Sequence, residues 1–173
     1  MNIRAAAEEE FESVRAFYHM MTDAMANALH SPGWKKGIYP SDEDLQDALR
    51  EQTLFVGTID GEIVATVVRN HACAEGYEKA NGQVQASPEE ITILHLLGIH
   101  PAHRGKGLAK ELIAWAIQDA KNRLQKVIRL DVLEGNLPAE RLYPCIGFQR
   151  IGTFLMYYPD TGWTNYVLFE YVL

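Results

Sequence analysis

The residues best suited to chemistry in this 173-residue chain lie in one run, Leu97-Gly98-Ile99-His100-Pro101-Ala102-His103-Arg104-Gly105-Lys106-Gly107-Leu108-Ala109. It reads as a strand end, a short turn and a glycine-rich loop that opens directly into a helix. The first turn of a helix has N–H groups without intrahelical partners and carries the positive end of the helix dipole. Together these bind phosphate groups, and Arg104, Lys106 and Lys110 add local positive charge. A Walker-type loop needs Gly-Lys followed by Ser or Thr to hold magnesium, but Lys106 is followed by Gly107. A dinucleotide fingerprint needs a third glycine for close helix packing. Counted from Gly105, that position is Lys110, and the loop falls past mid-chain.

Two other side chains invite a chemical reading. His95 is the strongly polar member of the odd-numbered face Ile91, Ile93, His95, Leu97, Ile99 of an apolar strand. A neutral imidazole with a pKa near ~6.5 can accept a proton; a hydrogen-bonded structural histidine is the equal alternative. Tyr143 carries a phenol of pKa ~10, able to donate a proton, although taken alone it reads as a core tyrosine. A metal site from His95, His100 and His103 is not expected, because the first faces the sheet interior and the others lie in a turn. Cys73 and Cys145 make neither a disulfide framework nor a metal site.

Composition narrows the partners. Hydrophobic residues are 47% and charged residues 23% of the chain, an ordinary balance for one folded domain spanning residues 1–173. The net charge of −7 speaks against nucleic acid and favours a cationic co-substrate such as an amine. The longest apolar stretch, Ile91 to Ile99, is broken by Thr92 and His95, so no membrane span is expected. Met1-Asn2-Ile3-Arg4 and Glu8-Glu9-Glu10 lack the features of a secretion signal. A reducing, cytoplasmic setting is therefore expected.

The elements that must position these groups follow from periodicity. Apolar residues from Phe11 to Ala28 recur at helical spacing, and Ser31-Pro32-Gly33 interrupts them. A second helix starts at Ser41 with a capping-box pattern and runs to Arg50. Thr53–Thr58 and Glu62–Arg69 flank Asp60-Gly61, a hairpin signal. The polar stretch 71–90 is long enough to be functional or mobile, as a lid would be. Ile91–Ile99 reads as a central strand, followed by an amphipathic helix from Leu108 to Leu124. Val127–Leu133 is the next strand, and a short helix lies between Leu137 and Ile146, with Gly147 as its C-cap. Pro144 predicts that this helix ends or bends at Tyr143. Phe148–Met156 and Tyr166–Val172 close the chain as antiparallel strands. The order predicts an α/β domain with a mixed sheet.

Arg104-Gly105-Lys106-Gly107-Leu108-Ala109 fits Arg-x-x-Gly-x-Ala and resembles the acetyl-CoA-binding loop of the GCN5-related N-acetyltransferase (GNAT) superfamily. Asn136-Leu137-Pro138-Ala139 with Leu142-Tyr143 and Gly147-Phe148 resembles the family's second signature. The resemblance implies a GNAT fold: a mostly antiparallel sheet, splayed at the acetyl-CoA site and flanked by helices. It implies that an amine attacks the thioester carbonyl of acetyl-CoA, with no metal. Leu97, Gly98 and Ile99 would meet the acyl and pantetheine portion through backbone groups, with Gly98 easing a bulge or close approach. Arg104, Gly105, Lys106, Gly107, Leu108 and Ala109 would wrap the pyrophosphate. Asn136 would cap its helix and touch CoA, and Tyr143 would be the general acid. The arylalkylamine branch looks similar in carrying a histidine where His95 stands, which makes His95 the candidate base.

The first two helices and their connection would wall the acceptor site, with Trp34 and Tyr39 as candidate contacts. Tyr157, Tyr158, Trp163 and Tyr166 would line the pocket or form a homodimer contact. The expected activity is acetyl transfer to a primary amine of a small molecule. A protein or peptide acceptor, and a non-catalytic acyl-CoA-binding regulator, stand as alternatives.

Overall fold

The computed structural model describes residues 1–80 and 82–173. Among them, seven strands form one sheet. In chain order these are β1 (Asn2–Ala5), β2 (Leu54–Ile59), β3 (Glu62–Asn70), β4 (Ile91–Ile99), β5 (Val127–Leu133), β6 (Gln149–Tyr158) and β7 (Gly162–Val172). The helices are α1 (Phe11–Met25), α2 (Asp42–Arg50), α3 (Leu108–Asn122) and α4 (Leu137–Leu142). The sheet order is β1-β2-β3-β4-β5-β7-β6, and every pair is antiparallel except β4–β5. This is the mixed, mostly antiparallel sheet the motifs imply. The pattern did not announce β1, whose four residues carry Ile3 as their only large apolar side chain, too few for alternation to register.

Helices cover both faces. On one face α3 buries Leu112, Ile113, Ala116 and Ala120 against Ala65, Val67, Leu94, Ile128 and Leu130. Leu112 and Ile113 are wholly buried; truncating either to alanine costs about 2–5 kcal/mol. On the other face α1 and α2 place Val14, Phe17, Tyr18, Met21, Leu45 and Leu49 over Leu54, Val56, Val68 and Leu96. At the start of α2, Ser41 Oγ accepts from the Asp44 amide at 3.1 Å and Asp44 Oδ2 accepts from the Ser41 amide at 2.8 Å.

The stretch 71–90 covers the remaining part of that second face rather than standing off as a lid. Tyr77 is buried among Ile91, Ile93, Val127, Met156 and Leu168. The segment is pinned by a bridge between Glu75 and Tyr157 and by the Gln83 amide, which donates to Glu170 at 2.8 Å. Glu170, 1% exposed, also accepts from Arg129 at 2.7 Å. A Cβ on Gly82 would fall 2.0 Å from Arg129 Nη2, so only glycine lets the chain pass over this ion pair.

Two irregularities shape the site. In β4, Leu96 takes a positive φ of 52°, a left-handed conformation that costs a leucine roughly 1–2 kcal/mol. Against β3 the register slips, Thr66 pairing with Gly98 but Val68 with His95. This is a β-bulge. The Leu96 carbonyl accepts from the buried Tyr18 hydroxyl at 2.8 Å, a bond that holds the kink.

The bulge falls at Leu96, and Gly98 shows the other of its two expected features, a close approach, where a Cβ would lie 3.0 Å from the Phe17 ring. Alternation fails beyond His95. Ile91 and Ile93 lie on the face covered by 71–90, whereas Leu97 and Ile99 pack on the α3 side. His95 therefore does not share a face with them.

The second irregularity is the splay. β4 pairs with β5 only from Ile91↔Val127 to Ile93↔Arg129. β5 then continues along β7 to Leu133↔Tyr166, while β4 continues along β3 to Ile99. From Leu94 onward β4 has no strand partner on its β5 side, and a slot opens.

Candidate active site

At the mouth of the slot β4 gives way to a 3-10 turn at Pro101–His103, then to the glycine loop and α3. Gly105 and Gly107 have φ of 76° and 85°, conformations open to glycine at little cost. A Cβ at either would meet nothing within 4 Å, so these residues keep a clear surface as well as a special backbone. The amides of Gly105, Lys106 and Gly107 have no backbone partner among the described residues, and α3 begins without a side-chain cap. A cavity of about 380 Å³ lies here, lined by Ile99, Arg104, Gly105, Gly107, Leu108, Ala109, Lys110 and Leu142. Lys106 is exposed and does not line that cavity.

A second cavity, about 100 Å³, continues the slot inward. It gathers Trp34, Tyr39, His95, Leu97, Asn136 and Tyr143 from the sequence-predicted set, together with Asp131, Tyr158, Asp160 and Tyr166. The two cavities share no lining residue but border neighbouring positions: on β4, Leu97 lines one and Ile99 the other; at the end of α4, Tyr143 lines one and Leu142 the other.

Pro144 acts as its position implies. The α-helix stops at Leu142 and a 3-10 turn, Pro144–Ile146, follows, yet Tyr143 keeps helical angles, φ −63° and ψ −44°. Its ring is wedged 5.5 Å from Phe148 and 5.8 Å from Phe169. The hydroxyl has no hydrogen-bond partner among the described residues, and burial, then the nearby Asp131, pushes its pKa well above the usual phenol value. Asn136 occupies the N-cap position of α4, but its side chain makes no capping bond. The expected side-chain cap is absent, and that amide faces the cavity unused.

His95 Nε2 sits 3.0 Å from both Asn70 Oδ1 and the Ala72 carbonyl. A carbonyl only accepts, so the proton is on Nε2 and the lone pair on Nδ1. Burial lowers the imidazole pKa to about 4. It is a neutral, weakly basic group that ties the end of β3 to the start of the 71–90 segment.

Two carboxylates escaped the sequence reading. Asp131, on β5, accepts from the Tyr158 hydroxyl at 3.0 and 2.9 Å, and burial raises its pKa to about 6. Asp160, in the β6–β7 turn, is 3% exposed, yet neither carboxylate oxygen has a hydrogen-bond partner among the described residues. Burial raises its pKa too; the nearby amides of Asp160 and Thr161 fall short of bonding geometry and, with Lys35, only moderate the effect. Apolar alternation could have flagged Asp131, the one acid inside the apolar strand Val127–Leu133. Asp160 sits in Pro159-Asp160-Thr161-Gly162 and reads as an ordinary turn residue.

The hairpin aromatics divide by strand parity. Tyr158 and Tyr166 are buried in the cavity wall, 4.8 Å apart, while Tyr157 and Trp163 pair outside at 5.8 Å, both more than 40% exposed. The outer wall closes where the α1–α2 connection meets this hairpin. A Cβ on Gly33 would fall 2.7 Å from Thr161 Cγ2, Lys35 Nζ donates to the Asp160 backbone carbonyl, and Trp34 packs on Tyr18 at 5.6 Å.

A sheet split after a β-bulge, with a glycine loop and helix N-terminus at the mouth of the split, is the architecture that the GNAT resemblance implies. The chain belongs to the Acetyltransferase (GNAT) family, whose model matches residues 15–148. It is 30% identical over 93 residues to the N-alpha-acetyltransferase RimI of Mycobacterium tuberculosis, covering 54% of this chain and 56% of that protein. It is 32% identical over 120 residues to a streptothricin acetyltransferase of Escherichia coli, covering 69% and 59%. The chain thus spans little more than half the length of these curated relatives. A GNAT-family acetyltransferase structure from Streptococcus agalactiae has the same fold at TM-score 0.82 and 20% identity, covering 99% of this chain and 95% of that one.

Proposed function

We propose that this chain is an acetyl-CoA-dependent N-acetyltransferase acting on a primary amine of a small molecule. The observation that carries the reading is the split between β4 and β5, along which β4 borders the glycine-loop cavity at Ile99 and the cavity holding Asp131 and Tyr143 at Leu94 to Leu97. Acetyl-CoA, when bound, supplies an activated acyl carbon and a thiolate leaving group. The loop amides, the N-terminus of α3 and Arg104 hold its pyrophosphate. The stretch of β4 left without a β5 partner offers backbone groups to the pantetheine.

Tyr143, kept protonated by burial, gives its hydroxyl proton to the sulfur as the C–S bond breaks. Once the C–N bond forms, the nitrogen carries a labile proton that the Asp131 carboxylate accepts. A carboxylate with pKa about 6 is ionised at neutral pH and more basic than an exposed aspartate. His95, at about 4 and committed through Nε2, serves as a positioning residue.

The closed outer wall and the cavity of about 100 Å³ favour a small acceptor over a peptide chain, the alternative that the likeness to RimI keeps in view. Two exposed free thiols, Cys73 and Cys145, suit a reducing, cytoplasmic setting. Thermal unfolding with acetyl-CoA, against NAD and ATP, tests the donor. A ligand at a hundred times its Kd adds about 2.7 kcal/mol, a rise of roughly 2–4 °C per kcal/mol. Thiol release across amines and peptides then tests the acceptor. A midpoint raised by ATP or NAD but not acetyl-CoA overturns the reading.

A further inference from the structure

We propose that the acceptor carries a second cationic nitrogen, held by the Asp160 carboxylate while the first is acetylated beside Asp131 and Tyr143. The inference rests on the N-acetyltransferase reading and names its substrate class: an amine bearing another ammonium or guanidinium group. Asp160 is nine-tenths and more buried, lines the inner cavity, and has both carboxylate oxygens unpartnered. A buried carboxylate without donors is costly, and proteins keep such groups paired. The nearest cation does not pair with it: Lys35 Nζ is spent on the Asp160 backbone carbonyl.

Tyr39 and Tyr166 line the same cavity as Asp131, Asp160 and Tyr143, and aromatic faces accept cations. Tyr158 stacks against both, at 5.3 and 4.8 Å.

A further cleft shares Tyr39, His95, Leu96 and Tyr158 as its inner wall. Asp44, Asp47 and Glu51 line it. Arg50 pairs with Asp47, which leaves the cleft net negative, a field that concentrates cations and repels carboxylates. A monoamine would leave Asp160 without a partner in the filled site. An amino acid would bring a third carboxylate beside two.

The test compares α,ω-diaminoalkanes of graded length with the matched monoalkylamines, as kcat/KM by thiol release and as affinity by calorimetry with CoA in the donor site. The diamine of fitting length is expected to exceed its monoamine by about ten- to a hundredfold, the range of a charge-assisted bond. Asp160→Asn is expected to remove most of that preference, chiefly through KM, without lowering the unfolding midpoint, because it deletes an unpartnered charge. Asp160→Ser is the second variant should the amide disturb the turn. Equal kcat/KM for diamines and monoamines overturns the inference, as does a preference that survives in both variants. No midpoint shift with acetyl-CoA and no thiol release with any amine overturns instead the N-acetyltransferase reading beneath it.

Discussion

The proposed donor cradle and the proposed acceptor cavity are built on opposite principles. The cradle is one run of consecutive residues, exposed, and made of backbone: two glycines with positive φ, free amides and a helix end. The cavity is made of side chains from the α1–α2 connection, β4, β5, α4 and the β6–β7 hairpin, with Asp160 buried and Asp131 half-buried. Backbone recognition suits a phosphate, which asks only for N–H groups and positive potential. Side-chain recognition suits an acceptor that differs from enzyme to enzyme, because each contributing position can change without disturbing the others. Substitutions in the cradle should therefore act on donor affinity, and those in the cavity on turnover and acceptor choice.

The largest effect should come from Tyr143→Phe. Losing a general acid costs about 10²–10⁴ in rate, and the acetyl-CoA dissociation constant should stay nearly intact because Tyr143 does not line the cradle. Pre-steady-state thiol release and a separate binding titration read the two quantities. Unchanged turnover removes Tyr143 as the acid; a matching loss of affinity blurs the division between the two regions.

Asp131→Asn should follow, lowering kcat by about 10² and abolishing an acidic limb near pH 6 in the pH–rate profile. Stability should move the other way. The Asp131 pKa rises from 3.8 to about 6 on folding, so the native state binds more protons than the unfolded chain in that window. Its contribution to stability therefore falls as pH rises through about 6. Above that pH the variant should be more stable, by up to about 3 kcal/mol, as denaturant titrations would show. A less stable variant at pH 8 would mean that the Tyr158–Asp131 pair holds the fold together.

Arg104→Glu probes the other region. Reversing the charge beside the cradle should weaken acetyl-CoA about tenfold or more while kcat at saturating donor stays close to that of the parent chain. An unaffected dissociation constant would move the pyrophosphate elsewhere.

The same contrast explains what the sequence made legible. The cradle could be read residue by residue because its structure is local: Arg104 to Ala109 is both the motif and, Lys106 aside, the lining of the outer cavity. Ile91–Ile99 and Asp60-Gly61 were equally plain, since alternation and turn chemistry are short-range. Parity along β4 was not, because the bulge at Leu96 depends on a bond from Tyr18, 78 residues away. Once the bulge is present, His95 leaves the face of Leu97 and Ile99. Asp160 was illegible for the same reason. Nothing in a Pro-Asp-Thr-Gly turn says that Gly33 and Thr161 will close over it and take it out of water.

His95→Asn should have the mildest effect on rate and the sharpest diagnostic value. The imidazole pKa falls from 6.5 to about 4 on folding, so between those values the native state binds fewer protons than the unfolded chain. Its contribution to stability is lost as pH drops through that window, by up to about 3 kcal/mol. Asp131 has the opposite sign over nearly the same range, so the two slopes offset one another in the parent chain. His95→Asn should therefore leave a protein whose stability declines as pH rises from about 4 to 6, and Asp131→Asn one whose stability increases. The double variant should return to the pH dependence of the parent chain. In the pH–rate profile of His95→Asn, the limb near pH 6 should persist, because it belongs to Asp131. Its disappearance, with the stability slopes as stated, would return the proton-accepting role to His95 and leave Asp131 as a cation-binding group.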